Sequence, residues 1–179
     1  MNNNFDTAYF AGGCFWCTEA IFKKIKGVIN VLPGYTGGKV DNPNYNTVSK
    51  GYTDHVEAVK ITYDSKVIKY DQLLNIFFST HDPTTINRQG NDVGSHYKSA
   101  IFYVNSNQLQ SINIFLKKLK KQKIFNKDIV TQISKFSKFY LAEVEHINYY
   151  ELNKFQPYCN FVIKPKVDKL KDQFKEYLD

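Results

Sequence analysis

The feature that most constrains the fold is a strand that passes into a helix through two glycines. Residues 7–11 form an extended apolar run, Gly12 and Gly13 follow it, and a helical pattern begins after Cys14. Glycine accepts the backbone angles of such a turn. Because a helix N-terminus carries partial positive charge, it favours a thiolate over a thiol. The stretch therefore predicts a reactive nucleophile at Cys14; a small, inert buried cysteine is the alternative.

Length and composition indicate a single domain. The 179 residues can bury a sizeable core, so residues 1–179 are expected to form one domain. Nothing indicates an obligate oligomer, so a monomer is expected.

The N-terminus lacks the pattern of a secretory signal and the three cysteines form no disulfide framework, so a cytoplasmic location is expected. The net charge of +7 comes from lysines on polar helix faces without a nucleic-acid motif, and no apolar run is long enough to cross a membrane. We expect no nucleic-acid and no membrane partner.

Strands and helices alternate along the chain with unequal connections. Strands are predicted at residues 28–32 (ending at Pro33), 55–63 and 97–104. Helices are predicted at residues 70–81, 107–122 and 167–178. Residues 139–153 are interpreted as a short helix and a loop. This order favours an α/β (α+β) two-layer sandwich, with a mixed β-sheet and flanking helices, over a doubly wound parallel sheet.

One acidic side chain falls on an apolar face of a predicted strand. Glu57 shares that face with Val59 and Ile61, since alternate residues of a strand point the same way. A carboxyl group removed from water keeps its proton near neutral pH, as a general acid requires. The alternatives are a glutamate paired with a lysine and a glutamate at the exposed beginning of the strand.

Six motifs follow one another in the chain. They are Gly13-Cys14-Phe15-Trp16, Gly34-Tyr35-Thr36-Gly37-Gly38, Asn42-Pro43-Asn44-Tyr45, His55-Val56-Glu57-Ala58-Val59, His81-Asp82-Pro83-Thr84 and Arg88-Gln89-Gly90-Asn91-Asp92-Val93-Gly94. In this order they resemble the motif set of the peptide methionine sulfoxide reductase A family. The resemblance implies a fold related to the ferredoxin-like arrangement. It also implies a peptide-methionine (S)-S-oxide reductase, a thiol enzyme that reduces the S epimer of methionine sulfoxide, free or in proteins.

The resemblance also implies a role for each site residue. Cys14 attacks the substrate sulfur, and Glu57 protonates the sulfoxide oxygen. Phe15 and Trp16 form the pocket for the ε-methyl group of the substrate. The other implied catalytic residues are two phenols that hydrogen-bond the oxygen and a carboxylate that organises the site: Tyr45, Tyr97 and Asp92.

Two thiols are candidates for the step that follows. The sulfenic acid left on Cys14 condenses with a second thiol to form a disulfide. The resemblance favours Cys159, because many members carry a resolving cysteine after a tyrosine in a mobile C-terminal segment. Cys17 is the alternative: it has Cys-x-x-Cys spacing with Cys14 and stands where many members have glycine. Thioredoxin is then the expected reductant, and no bound cofactor or metal is expected.

Two other functions use the same cysteines. A general thiol–disulfide oxidoreductase would use Cys14 and Cys17 after a strand, but this leaves Glu57 and Tyr45 without a role. A zinc-binding module would combine the three cysteines with a histidine such as His146. Structural zinc sites usually have two paired motifs, and the sequence has one.

Overall fold

The computed structural model describes residues 5–178, and the statements below concern these residues. The strands are β1 (Phe5–Gly12), β2 (Val28–Thr36), β3 (Val56–Asp64), β4 (Arg88–Gln89), β5 (Asp92–Val93), β6 (Ser99–Tyr103), β7 (Gln132–Lys135) and β8 (Phe139–Leu141). The helices are α1 (Phe15–Phe22), α2 (Tyr45–Ser49), α3 (Tyr70–Thr80), α4 (Ser106–Lys121), α5 (Tyr149–Leu152) and α6 (Lys164–Gln173). Short 3-10 turns lie at Ser95–Tyr97, Val144–His146 and Lys175–Tyr177, and a π-helical turn lies at Cys159–Ile163.

Six strands form one mixed sheet in the order β7-β6-β1-β3-β2-β8. Strand β1 is antiparallel to both neighbours, so Tyr9 lies opposite Lys60 of β3 and Phe102 of β6. Strands β3, β2 and β8 are also antiparallel in turn, whereas β7 runs parallel to β6. Strands β4 and β5 form a separate two-stranded ribbon. The predicted mixed sheet with flanking helices is confirmed.

Both faces of the sheet carry buried apolar side chains. On the helix-covered face, Phe10 and Ile61 pack with Phe22 in the main core, and each is fully buried. On the other face, the ring of Tyr9 stacks on that of Phe136, with the centroids 4.0 Å apart. No helix within residues 5–178 is long and apolar enough to cross a membrane.

At the edge formed by β2 and β8, two local predictions were wrong. Strand β2 does not end at Pro33 but continues to Thr36. Proline is tolerated near the end of a ladder, and here its carbonyl oxygen accepts a hydrogen bond from the N–H of Ala142 at 3.0 Å. Residues 139–153 begin with a strand, because β8 pairs with β2 from Gly34 to Thr36. A strand of three residues is too short to show an alternating pattern.

The C-terminal helix packs against the helix that carries the cysteine motif. Helix α6 contacts α1 and has Val167 and Leu170 fully buried, which confirms the predicted amphipathic character. The predicted end at residue 178 was wrong, because the helix ends at Gln173 and a separate 3-10 turn follows. The π-helical turn before α6 also contacts α1, and there Cys159 is fully buried. The fold therefore brings this segment to the N-terminal end of α1. Its mobility stays a prediction.

Candidate active site

The turn between β1 and α1 holds Cys14 at the beginning of the helix. Gly13 has a φ of +92°, and a Cβ there would lie 2.6 Å from the Cβ of Gln89, so both backbone conformation and space require glycine. Cys14 is the N-cap residue of α1, and its carbonyl oxygen accepts a hydrogen bond from the N–H of Cys17 at 3.1 Å. The predicted position of Cys14 at a helix N-terminus is confirmed.

The carboxyl group of Glu57 lies beneath this turn. Glu57 is only 2% exposed, and its Oε2 accepts a hydrogen bond from the backbone N–H of Phe15 at 3.0 Å. Burial raises the pKa of Glu57 to about 8, although the hydrogen bond from Phe15 acts in the opposite direction. Glu57 is therefore a neutral carboxylic acid at pH 7. The alternation of β3 predicted this environment, and the alternative of an exposed glutamate is wrong.

Cys14 does not have the thiolate character that the helix N-terminus alone predicts. Its side chain is buried, and this burial raises its pKa well above the ordinary value. The hydrogen bond with Cys17 and the charge of Glu57 act in the same direction. Desolvation of the sulfur therefore outweighs the effect of the helix N-terminus. In the absence of substrate Cys14 is a thiol.

A small cavity of about 40 Å³ lies at Cys14. A single water molecule needs about 10–15 Å³ of such volume, so the cavity has room for a small chemical group. The cavity is lined by every residue that the sequence predicts for catalysis and methyl binding: Cys14, Phe15, Trp16, Tyr45, Glu57, Asp92 and Tyr97. Tyr158 also lines it and was not predicted to take part.

Aromatic rings form one wall of the cavity. The indole ring of Trp16 stacks on Tyr149, with the centroids 3.6 Å apart and an interplanar angle of 6°. The indole N–H donates a hydrogen bond to Nδ1 of His146 at 3.2 Å, and the ring of Tyr158 meets the indole edge-on. These contacts fix the orientation of Trp16, so its apolar face is presented to the cavity.

The phenols of the cavity are hydrogen-bond donors at neutral pH. Burial raises the pKa of both Tyr45 and Tyr97, and the nearby charge of Glu57 acts in the same direction. Asp92 accepts a hydrogen bond from the hydroxyl of Tyr158 at 2.6 Å. Asp92 thus connects the cavity wall to the C-terminal segment.

Glu143 supports this wall from behind and was missed by the sequence analysis. One of its carboxylate oxygens accepts a hydrogen bond from the hydroxyl of Tyr35 at 2.7 Å, and the other accepts one from the N–H of Tyr45 at 2.7 Å. It also lies 3.9 Å from Nε2 of His146, the residue that binds Trp16. Glu143 is the N-cap of the 3-10 turn that contains His146. The three-residue spacing of these two side chains was the available signal, but residues 139–153 were interpreted as a short helix and a loop.

The three cysteines are unpaired and buried within the described chain. Cys14 donates a hydrogen bond to Cys17, and this bond contributes most to lowering the pKa of Cys17, to about 7. The hydroxyl of Tyr158 lies 3.9 Å from the sulfur of Cys17. Burial raises the pKa of Cys159. The thiol in direct contact with Cys14 is therefore Cys17, and Cys17 is the one that is readily ionised.

The geometry does not support the zinc-binding alternative. Among residues 5–178, no group of three or more His, Cys, Asp or Glu side chains could hold a metal ion. His146, which this alternative would use as a ligand, instead accepts the hydrogen bond of Trp16 and packs against Tyr45.

Comparisons with known proteins identify the family of the chain. The family model described as peptide methionine sulfoxide reductase matches residues 6–178. The peptide methionine sulfoxide reductase MsrA of Saccharolobus solfataricus is 47% identical over 171 residues, which cover 96% of each chain, and that of Sulfolobus acidocaldarius is 50% identical over 171 residues, again 96% of each chain. The structure of reduced Mxr1 from Saccharomyces cerevisiae has a TM-score of 0.80 at 30% identity, covering 89% of this chain and 92% of Mxr1. The chain therefore belongs to the peptide methionine sulfoxide reductase family.

Proposed function

We propose that this protein reduces the S epimer of methionine sulfoxide, free or in proteins, at the Cys14 cavity. The observation that carries the proposal is the meeting of a thiol, a neutral carboxylic acid and an aromatic wall at one small cavity: Cys14, Glu57 and Trp16. A sulfoxide has an electrophilic sulfur, a basic oxygen and an apolar methyl group. Each of these three features has a matching group in the cavity.

The first step transfers oxygen from the substrate to Cys14. The Cys14 sulfur attacks the sulfoxide sulfur and forms an S–S bond. This bond then breaks as the oxygen moves from the methionine sulfur to the Cys14 sulfur, so methionine is released and Cys14 becomes a sulfenic acid. In the net reaction the thiol proton and the sulfoxide oxygen form the hydroxyl of the sulfenic acid, since the proton that Glu57 donates to the oxygen is replaced by the one that Cys14 loses. Cys17, which accepts a hydrogen bond from the Cys14 thiol, is placed to take up the thiol proton as the attack begins.

Glu57 supplies the proton that the sulfoxide oxygen needs. Its pKa of about 8 keeps it protonated at pH 7, so it acts as the general acid. Tyr45 and Tyr97 donate hydrogen bonds to the same oxygen and stabilise the charge that develops on it. Phe15 and Trp16 enclose the ε-methyl group.

The second step forms a disulfide and releases water. The sequence favours Cys159 as the resolving thiol, but the contact between Cys14 and Cys17 leads us to propose an order in which both thiols act. Cys17 attacks the sulfenic sulfur of Cys14, the S–S bond forms, and the hydroxyl leaves as water. Cys159 then exchanges with this disulfide and carries the oxidation to the surface when the C-terminal segment opens.

Thioredoxin is the reductant that we propose, with no bound cofactor or metal, in a cytoplasmic monomer. Reduction of a buried disulfide by a dithiol partner needs no further group in the cavity, because thiol–disulfide exchange transfers both electrons. Mxr1 of Saccharomyces cerevisiae has been solved in complex with Trx2. That complex motivates a test of thioredoxin as the reductant of this protein.

The experiment is a single-turnover assay with one equivalent of methionine S-sulfoxide and dithiothreitol as the electron source. Cys14→Ser should release no methionine, because no sulfur is left at the cavity. Cys17→Ser is the matched control: it removes the neighbouring thiol but leaves Cys14, so it should still release methionine. Substantial activity of Cys14→Ser would contradict the proposal.

The contact between Cys14 and Cys17 also favours one other function, a general thiol–disulfide oxidoreductase. That function requires an exposed disulfide surface, whereas Cys14 and Cys17 are 5% and 2% exposed. The assay that separates the two is reduction of an unrelated protein disulfide. The reductase should be inactive on such a disulfide at concentrations at which it reduces methionine sulfoxide; comparable rates on both substrates would favour the oxidoreductase.

A further inference from the structure

Helix α1 carries a second buried carboxyl group, which does not line the Cys14 cavity. Glu19 is only 1% exposed. It lies on the same side of the helix as Trp16, since residues three apart are neighbours on a helix surface. Lys23, at the C-terminal end of α1, continues this side by one turn. A glutamate is rarely buried so completely unless it is paired, so its partners indicate its role.

Glu19 binds the turn that leads into α5. Its Oε1 accepts a hydrogen bond from the backbone N–H of Asn148 at 2.9 Å. The Nζ of Lys23 lies 3.6 Å from the same oxygen and donates a hydrogen bond to Oδ1 of Asn148 at 3.0 Å. Asn148 has a φ of +59°, a conformation that a residue other than glycine keeps where its surroundings fix it. Glu19 and Lys23 together hold this turn against α1.

The residue after the turn packs directly on the indole of Trp16. The rings of Tyr149 and Trp16 are parallel within 6°, and their centroids are 3.6 Å apart. His146, which accepts the indole hydrogen bond at 3.2 Å, belongs to the same segment of the chain. Trp16 in turn lines the cavity of about 40 Å³ at Cys14. Because this cavity is so small, a shift of residues 146–149 that released the indole would change its size appreciably.

We propose that Glu19 is a positioning residue that sets the selectivity of the cavity for a methyl group: it fixes the turn at Asn148, and this turn holds Tyr149 against Trp16. The inference rests on the proposed function and adds a residue to it. Glu19 contacts neither the substrate nor the reacting sulfur. Its effect is on the position of the indole, and through the indole on the size of the group that fits beside Cys14.

The direct test uses the fluorescence of Trp16, the only tryptophan of the chain. Acrylamide quenching in the reduced protein without substrate measures how easily the indole is reached. Glu19→Met keeps the length of the side chain but offers no acceptor to the Asn148 N–H, so the quenching constant should rise. Glu19→Gln keeps an acceptor oxygen and should stay close to the unaltered protein. The matched control is Glu151→Gln, which removes an exposed ion pair from α5 to Lys24 and should leave quenching unchanged.

The catalytic test compares two substrates that differ by one methylene, the S-sulfoxides of methionine and ethionine, with dithiothreitol as the electron source. An apolar pocket distinguishes one methylene by about 10- to 200-fold in kcat/KM. Glu19→Met should lower the methionine-to-ethionine ratio of kcat/KM by about threefold or more. Glu19→Gln and Glu151→Gln should keep the ratio. A loss of folded protein would lower both rates equally and leave the ratio unchanged.

A double-mutant cycle with Tyr149→Ala decides whether Glu19 acts through Tyr149. In the Tyr149→Ala protein, Glu19→Met should cause no further change in quenching or in the substrate ratio. Lys23→Met is a milder variant at the exposed end of the same contact, and it should shift both readouts in the same direction even if Glu19→Met does not fold.

Two outcomes would overturn the role of Glu19. One is an unchanged quenching constant and substrate ratio in Glu19→Met, or in Lys23→Met if only that variant folds. The other is an equal effect of Glu19→Met with and without Tyr149. Failure of every protein to reduce methionine sulfoxide would instead contradict the proposed function, while the quenching measurement would still decide whether Glu19 positions Trp16.

Discussion

Glu57→Gln tests whether burial keeps Glu57 protonated. The quantity to measure is the free energy of unfolding as a function of pH. Between the ordinary pKa of 4.5 and the folded-state pKa of about 8, the unfolded chain has released the Glu57 proton while the folded protein still holds it. The stability that this group contributes is full below pH 4.5 and is lost as the pH rises to 8. Each pH unit in this range lowers the free energy of unfolding by about 1.4 kcal/mol. The total loss between pH 4.5 and pH 8 is therefore about 5 kcal/mol.

The glutamine variant has no proton to release, so it should not show this loss. Its amide oxygen keeps the acceptor for the Phe15 N–H, and the change in shape is small. Urea unfolding of both proteins at several pH values between 5 and 8 measures the difference in unfolding free energy, which should move in favour of Glu57→Gln by about 1.4 kcal/mol per pH unit.

Glu143→Gln provides a control of opposite sign. Burial acts to raise the pKa of Glu143, but hydrogen bonds from Tyr35 and Tyr45 lower it below the ordinary value. The unaltered protein should therefore lose stability relative to Glu143→Gln as the pH falls below about 4.5, so for this pair the unfolding series is extended to that range. A stability difference between Glu57→Gln and the unaltered protein that stays constant with pH would refute the burial argument.

The rate of methionine release should also depend on the protonation state of Glu57. In the unaltered protein this rate should fall above pH 8, because the general acid is then ionised. Glu57→Gln should release methionine about 10²- to 10⁴-fold more slowly, the usual contribution of a positioned acid, with no further fall around pH 8. Rapid-quench measurements with a single equivalent of substrate decide this, and an unaltered rate for Glu57→Gln would remove Glu57 from the mechanism.

Three further changes probe the parts of the site that surround the reacting atoms. Glu143→Ala should lower the free energy of unfolding by about 2–4 kcal/mol, since it leaves two buried donors without an acceptor; chemical denaturation measures this, and a loss below that of Glu143→Gln would contradict it. Tyr158→Phe removes the hydrogen bond to Asp92, so amide hydrogen exchange in the π-helical turn should become faster. Cys159→Ser should keep dithiothreitol-driven activity but lose turnover with thioredoxin; full thioredoxin activity would assign the exchange to Cys17 alone.

The central part of the site was predictable because its signals are local. A strand, two glycines and a cysteine occupy consecutive positions, so the placement of Cys14 at a helix N-terminus follows from the order of residues. The burial of Glu57 follows from the two-residue period of β3, which puts it on the same face as Val59 and Ile61. Both predictions need no knowledge of which segments meet in space.

The supporting contacts were not predictable, since they join distant segments. The hydrogen bond between Tyr35 and Glu143 spans 108 residues, and that between Tyr158 and Asp92 spans 66. No periodicity within either segment specifies its partner. The pKa of Cys14 shows the same limit: the helix N-terminus is visible in the sequence, but the extent of desolvation depends on the residues that close over the sulfur.

Burial accounts for the protonation states at the site and leads us to expect a conformational change during disulfide exchange. Exclusion of water keeps Glu57 protonated and Cys14 in the thiol form, so a suitable acid is present before substrate binds. The same exclusion leaves Cys159 fully buried, out of reach of a protein reductant. We therefore expect oxygen transfer in the closed state and disulfide exchange in an open one. Tyr158, which contacts both Asp92 and Cys17, joins the cavity to the segment that we expect to open.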